Sequence, residues 1–137
     1  MKVTLKKVAD GAVFDVANDA GGTVRLAGSP DHGGDGVSMR PMEGVLAALA
    51  ACGAIDVVHI LKRQGEPLRD LTVEVEGERA DAVPAVFTHI TLRYVIDGPV
   101  NEDKARRAVA LGVEKYCSVG KMLEATVKID WSLTVRP

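Results

Sequence analysis

The sequence predicts an α+β fold built as a single domain over residues 1–137. Three observations lead to this prediction. Segments in which apolar and polar residues alternate, a pattern typical of strands with one buried face, occur towards both ends of the chain. A long apolar segment with helical start and stop signals lies between them. A second helical pattern separates the final strand from the others, so the predicted element order is β-β-β-α-β-β-α-β.

The three N-terminal strands are separated by turn signals. Asp10–Gly11 and Gly21–Gly22 are typical of hairpin turns. The predicted strands lie near Lys2–Val8, Ala12–Ala17 and Thr23–Ala27. Three further strands are predicted at Leu71–Glu76, Val86–Ile96 and Ala125–Arg136. In these strands the apolar residues mostly alternate with polar ones, so we expect antiparallel sheets that are covered on one face.

Two helices complete the prediction. The first spans Pro41–Gln64, because proline is tolerated in a first turn and Gly65 is a suitable C-terminal glycine. The second begins after Asn101, a favourable N-cap, and its apolar stripe runs to Tyr116. Between residues 44 and 55 the first helix has no polar face, and its small side chains permit close backbone approach. We therefore expect a central helix whose free side is covered by a second subunit.

Composition and charge narrow the class of protein. The 137 residues are 47% hydrophobic and 26% charged, with a formal net charge of −2. These values are ordinary for a globular protein and predict no binding to nucleic acid or anionic lipid. The uncharged run of residues 44–55 is shorter than the roughly 18–20 residues of a membrane span. With two cysteines there is no disulfide framework, and the N-terminus lacks the features of a signal peptide, so we expect a cytoplasmic protein.

Long motifs surround both cysteines. They read "RPMEGVLAALAACGAIDVVHILKRQ" (Arg40–Gln64) and "VEKYCSVGKMLEATVKI" (Val113–Ile129), and "FTHITLRYVIDG" (Phe87–Gly98) lies between them. Together they resemble the OsmC/Ohr family of stress-related thiol proteins, specifically its OsmC-like, YhfA-like branch. The resemblance implies an OsmC-like fold in which antiparallel sheets pack on two long central helices of an intertwined homodimer.

The resemblance also implies a two-cysteine redox cycle. In peroxidase members, the cysteine matching Cys52 attacks the peroxide and becomes a sulfenic acid. The cysteine matching Cys117 condenses with it to a disulfide, which an external dithiol reduces. We therefore expect a thiol-dependent protein that reduces organic hydroperoxides in oxidative-stress defence and needs no cofactor. On residue chemistry alone, a buried cysteine is equally compatible with an inert, small apolar residue.

A reactive Cys52 needs a positive neighbour, because a free thiol has a pKa of about 8.5 and burial raises it. Arg40, at the start of the same helix, is the first candidate, and Arg25 is the alternative because the arginine of the peroxidases comes from their N-terminal region. Ohr-type members carry a glutamate directly after the proline that opens the helix. Here that position is Met42, and Glu43 follows about 100° further around the helix.

Because the glutamate lies one position later than in Ohr-type members, the sequence is compatible with both an enzyme and a non-catalytic protein. The alternative function is a non-catalytic OsmC-like dimer that binds a small apolar molecule in its interfacial cavity. Asp56 and His59 continue the stripe that begins at Cys52, but about 10 Å of helix separates Cys52 from His59, which favours a local Asp56–His59 pair over a triad. The carboxylates and histidine of the loop at residues 30–36 lack the spacing of a zinc or calcium motif, so no metal site is predicted.

Overall fold

The computed structural model describes Met1–Pro137 and confirms the α+β class. The chain forms two compact units, Met1–Val45 and Leu46–Pro137. The six strands form two three-stranded sheets, ordered β1-β2-β3 and β4-β5-β6. That both units fold together as one domain stays a prediction.

The first unit contains the predicted N-terminal hairpins. Strands β1, β2 and β3 span Val3–Lys7, Val13–Asn18 and Thr23–Ala27. All neighbours pair antiparallel. Gly11 and Gly21 occupy the turns with φ values of 85° and 89°, which glycine adopts without a steric penalty. A 3-10 turn at Pro30–His32 follows, and the three predicted strands are each confirmed to within one or two residues.

Helix α1 spans Pro41–Arg63, one residue shorter than predicted. It ends in the expected glycine: Gly65 has a φ of 69°, and its N–H donates to the Lys62 carbonyl at 3.1 Å. The Glu66 N–H donates to the Leu61 carbonyl at 3.0 Å. These two hydrogen bonds form a Schellman motif, which satisfies carbonyls that the helix end leaves without partners.

One face of α1 is buried and the opposite face is exposed. The buried face repeats every four residues, at Leu49, Gly53, Val57 and Leu61. By length and composition α1 could cross a membrane, since an 18-residue window has a mean hydropathy of 2.1 and only 22% of it is buried. Core helices of soluble proteins pass the same test. Counting only the uncharged run at residues 44–55 therefore underestimates the apolar length of this helix.

The second sheet differs from the prediction in one pairing. Strand β4 (Asp70–Arg79) pairs antiparallel with β5 (Phe87–Asp97), as expected. Strand β6 (Lys128–Arg136) pairs parallel with β5, whereas an antiparallel sheet was predicted. The physical reason is the connection: a helical segment carries the chain back along the sheet, so β6 starts at the same end as β5.

Strand β5 supplies much of the buried face of this sheet. Its fully buried side chains are Ile90, Leu92, Tyr94 and Ile96. Val86 and Thr88, predicted in the same row, are exposed. The register shifts after Glu78, where the strand pairing is irregular, and this turns Phe87 to the buried face instead.

The connection between β5 and β6 contains α2 (Glu102–Ala110), a π-helical turn (Leu111–Tyr116) and α3 (Ser118–Leu123). The Asn101 side chain accepts the Lys104 N–H at 3.0 Å, which confirms the predicted N-cap. Tyr116, expected on the buried stripe, is 51% exposed. The π turn is wider than an α turn, so residues within it leave the α-helical spacing on which the prediction relied. Helix α3 was not predicted.

Candidate functional site

Close contact between α1 and the π turn forms the frame of the site. A methyl group added at Gly112 would lie 2.9 Å from the Gly53 carbonyl oxygen, so the two backbones approach as only glycine permits. A methyl group added at Gly53 would lie 2.6 Å from the Tyr94 hydroxyl oxygen. The predicted close approach of small residues is confirmed here, directly after Cys52 in the sequence.

Cys117 is held at the junction of the π turn and α3. Its N–H donates to the Gly112 carbonyl at 3.0 Å, which closes the π turn. Its Sγ accepts the Gly120 N–H at 3.1 Å, so the sulfur acts as the N-cap of α3. The Leu49 carbonyl oxygen of α1 lies 4.0 Å from the same sulfur. The side chain is 1% exposed, and these contacts fix its sulfur towards α1.

The two cysteines are free thiols that interact with each other. Cys52 is half-buried and Cys117 is buried. Burial raises the pKa of Cys117, the Gly120 N–H opposes that shift, and the neighbouring Cys52 thiol raises the pKa further. Cys117 is therefore a neutral thiol near pH 7. Of the two sulfurs, the one on α1 is more open to an incoming molecule.

Tyr94, which the sequence prediction treated as an ordinary core residue, lies beside the thiol pair. It is 1% exposed, and its hydroxyl has no hydrogen-bond partner. Burial raises its pKa to about 12, and negative charge on Cys117, Cys52 and Asp56 adds to the effect. One signal was available in the sequence: a buried tyrosine in a row of isoleucine and leucine needs a partner for its hydroxyl.

The other predicted site residues take part in local interactions. The Glu43 carboxylate accepts the Arg40 main-chain N–H at 2.8 Å, which is one half of a capping box at the start of α1. Arg40 is exposed. Arg25 pairs with Asp15 on the neighbouring strand through two hydrogen bonds of 2.6 and 3.0 Å, and this pairing lowers the pKa of Asp15. The catalytic roles of Arg40 and Glu43 stay predictions.

Asp56 and His59 do not form the expected pair, since neither takes part in a side-chain hydrogen bond or salt bridge. Both line a groove of about 530 Å³ beside α1, together with Ile60, Arg63, Gln64, Leu111 and Tyr116. In the loop at residues 30–36, Asp35 accepts hydrogen bonds from the Val37 N–H, the Ser38 N–H and the Ser38 hydroxyl, and its pKa falls to about 2. Asp35 therefore stabilises its own turn.

Comparisons with known proteins agree with the motifs and the fold. The family model described as OsmC-like protein matches residues 33–132. Protein YhfA of Escherichia coli (strain K12) is 46% identical over 96 residues, which cover 69% of this chain and 72% of YhfA. A hypothetical protein from Aquifex aeolicus VF5 superposes with a TM-score of 0.83 at 28% identity, covering 99% of this chain and 97% of that one.

An organic hydroperoxide resistance protein OsmC from Legionella pneumophila has the same fold. It superposes with a TM-score of 0.72 at 23% identity, covering 98% of this chain and 96% of that one. The resemblance predicted from the two cysteine motifs is confirmed by the family model and by YhfA. The chain belongs to the OsmC-like protein family.

Proposed function

We propose that this protein is a thiol-dependent hydroperoxide reductase in which Cys52 is the attacking thiol and Cys117 the resolving thiol. The observation that carries the proposal is the thiol pair itself. Cys117 lies on a separate element, yet its sulfur interacts with Cys52, and both thiols are free. A dithiol with one accessible and one buried member suits attack by the first and rescue by the second.

Two steps oxidise the protein and a third restores it. The Cys52 thiolate attacks the peroxide oxygen, the O–O bond breaks, and the alkoxide leaves as an alcohol after taking a proton. Cys52 then carries a sulfenic acid. The Cys117 sulfur attacks the Cys52 sulfur, water leaves, and a disulfide forms. An external dithiol reduces the disulfide by exchange and is itself oxidised to a disulfide.

Oxidative-stress defence is the physiological setting that fits this chemistry. Some structures with this fold, such as the Legionella pneumophila protein, are named organic hydroperoxide resistance proteins. Arg40 keeps its proposed role as the cation that favours the Cys52 thiolate, because a guanidinium stays charged at all relevant pH values. About 18 Å of helix separates the two residues within one chain, so this role requires the Arg40 of a second subunit. Glu43 keeps its proposed role as a site carboxylate, with its hydrogen bond to the Arg40 N–H orienting that residue's main chain. We expect a cytoplasmic protein.

A homodimer is part of the proposal. The face of α1 opposite its buried residues exposes small and apolar side chains, namely Ala47, Ala48, Ala51, Ile55 and Val58. A second copy of the chain would cover this stripe. A lipid environment suits it less well, because Asp56 lies on the same helix, and a carboxylate at the centre of a membrane helix costs about 2.5–3.5 kcal/mol.

The second candidate function is a non-catalytic dimer that binds a small apolar ligand. The observation in its favour is Glu43, whose carboxylate caps its own helix through the Arg40 N–H. If that engagement prevents peroxide activation, the cysteines oxidise only incidentally. The groove near Asp56, His59 and Arg63 does not favour this candidate, because charged side chains suit an apolar ligand poorly.

Turnover of a hydroperoxide with a dithiol reductant tests the two functions. The parent should consume cumene hydroperoxide catalytically, and Cys52→Ser should abolish turnover because no other group can form the sulfenic acid. Cys117→Ser should consume one equivalent and then stop or over-oxidise. Arg40→Ala should slow the first step while the fold is retained. A Cys52→Ser protein as fast as the parent contradicts the proposal, and a parent inactive with every dithiol tried favours the ligand-binding function.

A further inference from the structure

The Tyr94 hydroxyl is a buried polar group without a partner. A buried hydroxyl without a hydrogen-bond partner destabilises the folded state, so such groups are rare in folded proteins and call for an explanation. Packing does not provide one, because a phenylalanine would fill the same space. The hydroxyl oxygen lies close to Gly53 of α1, the residue after Cys52. It fills the space that a side chain at position 53 would need.

We infer that Tyr94 is a further catalytic residue, which relays a proton during disulfide formation between Cys117 and Cys52. This inference rests on the proposed peroxidase function and assigns the proton pathway of its second step. The missing hydrogen-bond partner would then be the oxygen atom that the peroxide leaves on Cys52.

The relay moves two protons and leaves the tyrosine unchanged. The Cys117 thiol gives its proton to the phenol oxygen as its sulfur attacks the Cys52 sulfur. The phenol gives its own proton to the hydroxyl group that leaves Cys52. One S–S bond forms, one S–O bond and one S–H bond break, and water departs, so the tyrosine ends in the state in which it began. No oxidant or cofactor beyond the hydroperoxide is needed.

The surroundings of both groups suit this role. Cys117 is buried and neutral near pH 7, so its attack requires a group that accepts a proton. The Gly120 N–H donates to the Cys117 sulfur and cannot take its proton, and the Leu49 carbonyl oxygen that faces the thiol is too weak a base to take it. A phenol can both donate and accept, and Tyr94 stays protonated across the physiological range. Asp56 is the other titratable group whose charge acts on Tyr94.

Step-resolved kinetics test the relay with Tyr94→Phe and, as a matched control, Tyr116→Phe, which alters the other tyrosine of the chain. Sulfenic acid formation is measured in a Cys117→Ser background by dimedone trapping after one equivalent of cumene hydroperoxide. Disulfide formation is measured as loss of both thiols in proteins that keep the two cysteines. Tyr94→Phe should change the rate of sulfenic acid formation by no more than about twofold. It should slow disulfide formation by at least about tenfold and raise the yield of Cys52 sulfinic acid. Tyr116→Phe should leave both steps unchanged.

A solvent isotope measurement on the parent does not depend on any variant. Disulfide formation should slow in deuterium oxide by about twofold or more, because protons move in that step. Disulfide formation at the parent rate in folded Tyr94→Phe, or the absence of an isotope effect on that step, overturns the relay and leaves the proposed peroxidase standing. A parent that forms no sulfenic acid at Cys52 overturns the proposed function and the relay with it.

Discussion

Cys117 and Tyr94 are two buried polar side chains of one site that differ in their hydrogen bonding. The Cys117 sulfur receives the Gly120 N–H and faces the Leu49 carbonyl, so its position is fixed. The Tyr94 hydroxyl is equally inaccessible but receives and donates nothing. A group that is costly in the folded state and lies beside two free thiols is typical of a site in which function opposes stability.

Replacing Tyr94 by phenylalanine should therefore stabilise the protein. The substitution removes a buried, unsatisfied hydroxyl and keeps the ring, so we expect the free energy of unfolding to rise by about 1–3 kcal/mol. Urea unfolding followed by circular dichroism measures the change, with Tyr116→Phe as the control expected to stay within about 0.5 kcal/mol of the parent. A lower urea midpoint for Tyr94→Phe would show that the hydroxyl has a structural partner after all.

Among the individual residues of the site, the sequence identifies both thiols but not the tyrosine. Cys52 and Cys117 stand inside long motifs, and the resemblance of these motifs to the OsmC/Ohr family predicts redox chemistry. Tyr94 shares its row with Ile90, Leu92 and Ile96, and periodicity assigns all four to the core alike. Only the packing of α1 against β5 shows that its hydroxyl ends beside the thiols.

Among the elements, α1 and the π turn are joined through a contact between glycine backbones. The Gly53 carbonyl oxygen lies too close to Gly112 to leave room for a side chain at position 112. Such a contact gives a short distance between the helical segments, which in turn brings Cys117 to α1. The geometry of the thiol pair therefore depends on two residues that have no side chain.

Gly112→Ala should weaken this contact. The added methyl group would meet a backbone oxygen that cannot rotate away, and overpacking of this kind costs about 1–3 kcal/mol. Gly44→Ala in α1 is the matched control: its methyl group would meet only the Leu26 side chain at an ordinary 3.5 Å, and alanine favours a helix by about 1 kcal/mol. Urea midpoints should fall for the first variant and not for the second. Equal stability of both variants would contradict the account of this contact.

A charged residue connects the end of α1 to the start of α2. The Glu66 carboxylate accepts the Asn101 N–H at 2.8 Å and pairs with the Lys104 ammonium at 2.5 Å. The hydrogen bond from Lys104, followed by that from Asn101, lowers the pKa of Glu66. Since the folded pKa is lowered, the contribution to stability is present above the unfolded value and is lost as pH falls through the folded value.

Glu66→Gln should therefore make the free energy of unfolding less dependent on pH under acidic conditions. Below a pH of about 4.3, the parent should lose stability more steeply than the variant, because only the parent has this carboxylate to protonate. Urea midpoints measured from about pH 7 to pH 3 give the slopes. Glu124→Gln is the control, since Glu124 forms only an exposed pair with Lys121. Identical slopes for the parent and Glu66→Gln would contradict this role.

Local patterns predict the elements better than their pairing. The hairpins of the first unit, the bounds of α1 and the Asn101 cap follow from turn residues, capping and periodicity. The parallel pairing of β6 does not, because alternation gives the face of a strand but not its direction. The π turn escapes prediction because one wider turn leaves the composition of a helix unchanged.

For the whole molecule, the exposed stripe of α1 is an open apolar surface. Ile55 is 69% exposed at the middle of this stripe. A contiguous apolar patch on a helix face is typical of an interface. An intertwined homodimer, which the family resemblance implies, would cover it.

Sedimentation equilibrium tests that assembly. We expect the parent to be a dimer at micromolar concentration and Ile55→Lys to shift it to monomer, because a buried, unpaired lysine at an interface costs several kcal/mol. Val37→Lys introduces the same charge at an exposed valine outside α1 and should leave the dimer intact. A well-folded monomeric parent would contradict the assembly.

The central claim, that Cys52 and Cys117 form one redox couple, is tested most directly by mapping the product of a single oxidation. The reduced parent is treated with one equivalent of cumene hydroperoxide, alkylated, digested and analysed by mass spectrometry. The account predicts loss of both thiols, a disulfide joining the peptides that contain Cys52 and Cys117, and an undigested chain that runs as a monomer on a non-reducing denaturing gel because the bond lies within one chain. Recovery of both cysteines as alkylated thiols, or oxidation of Cys52 with Cys117 still free, would contradict it.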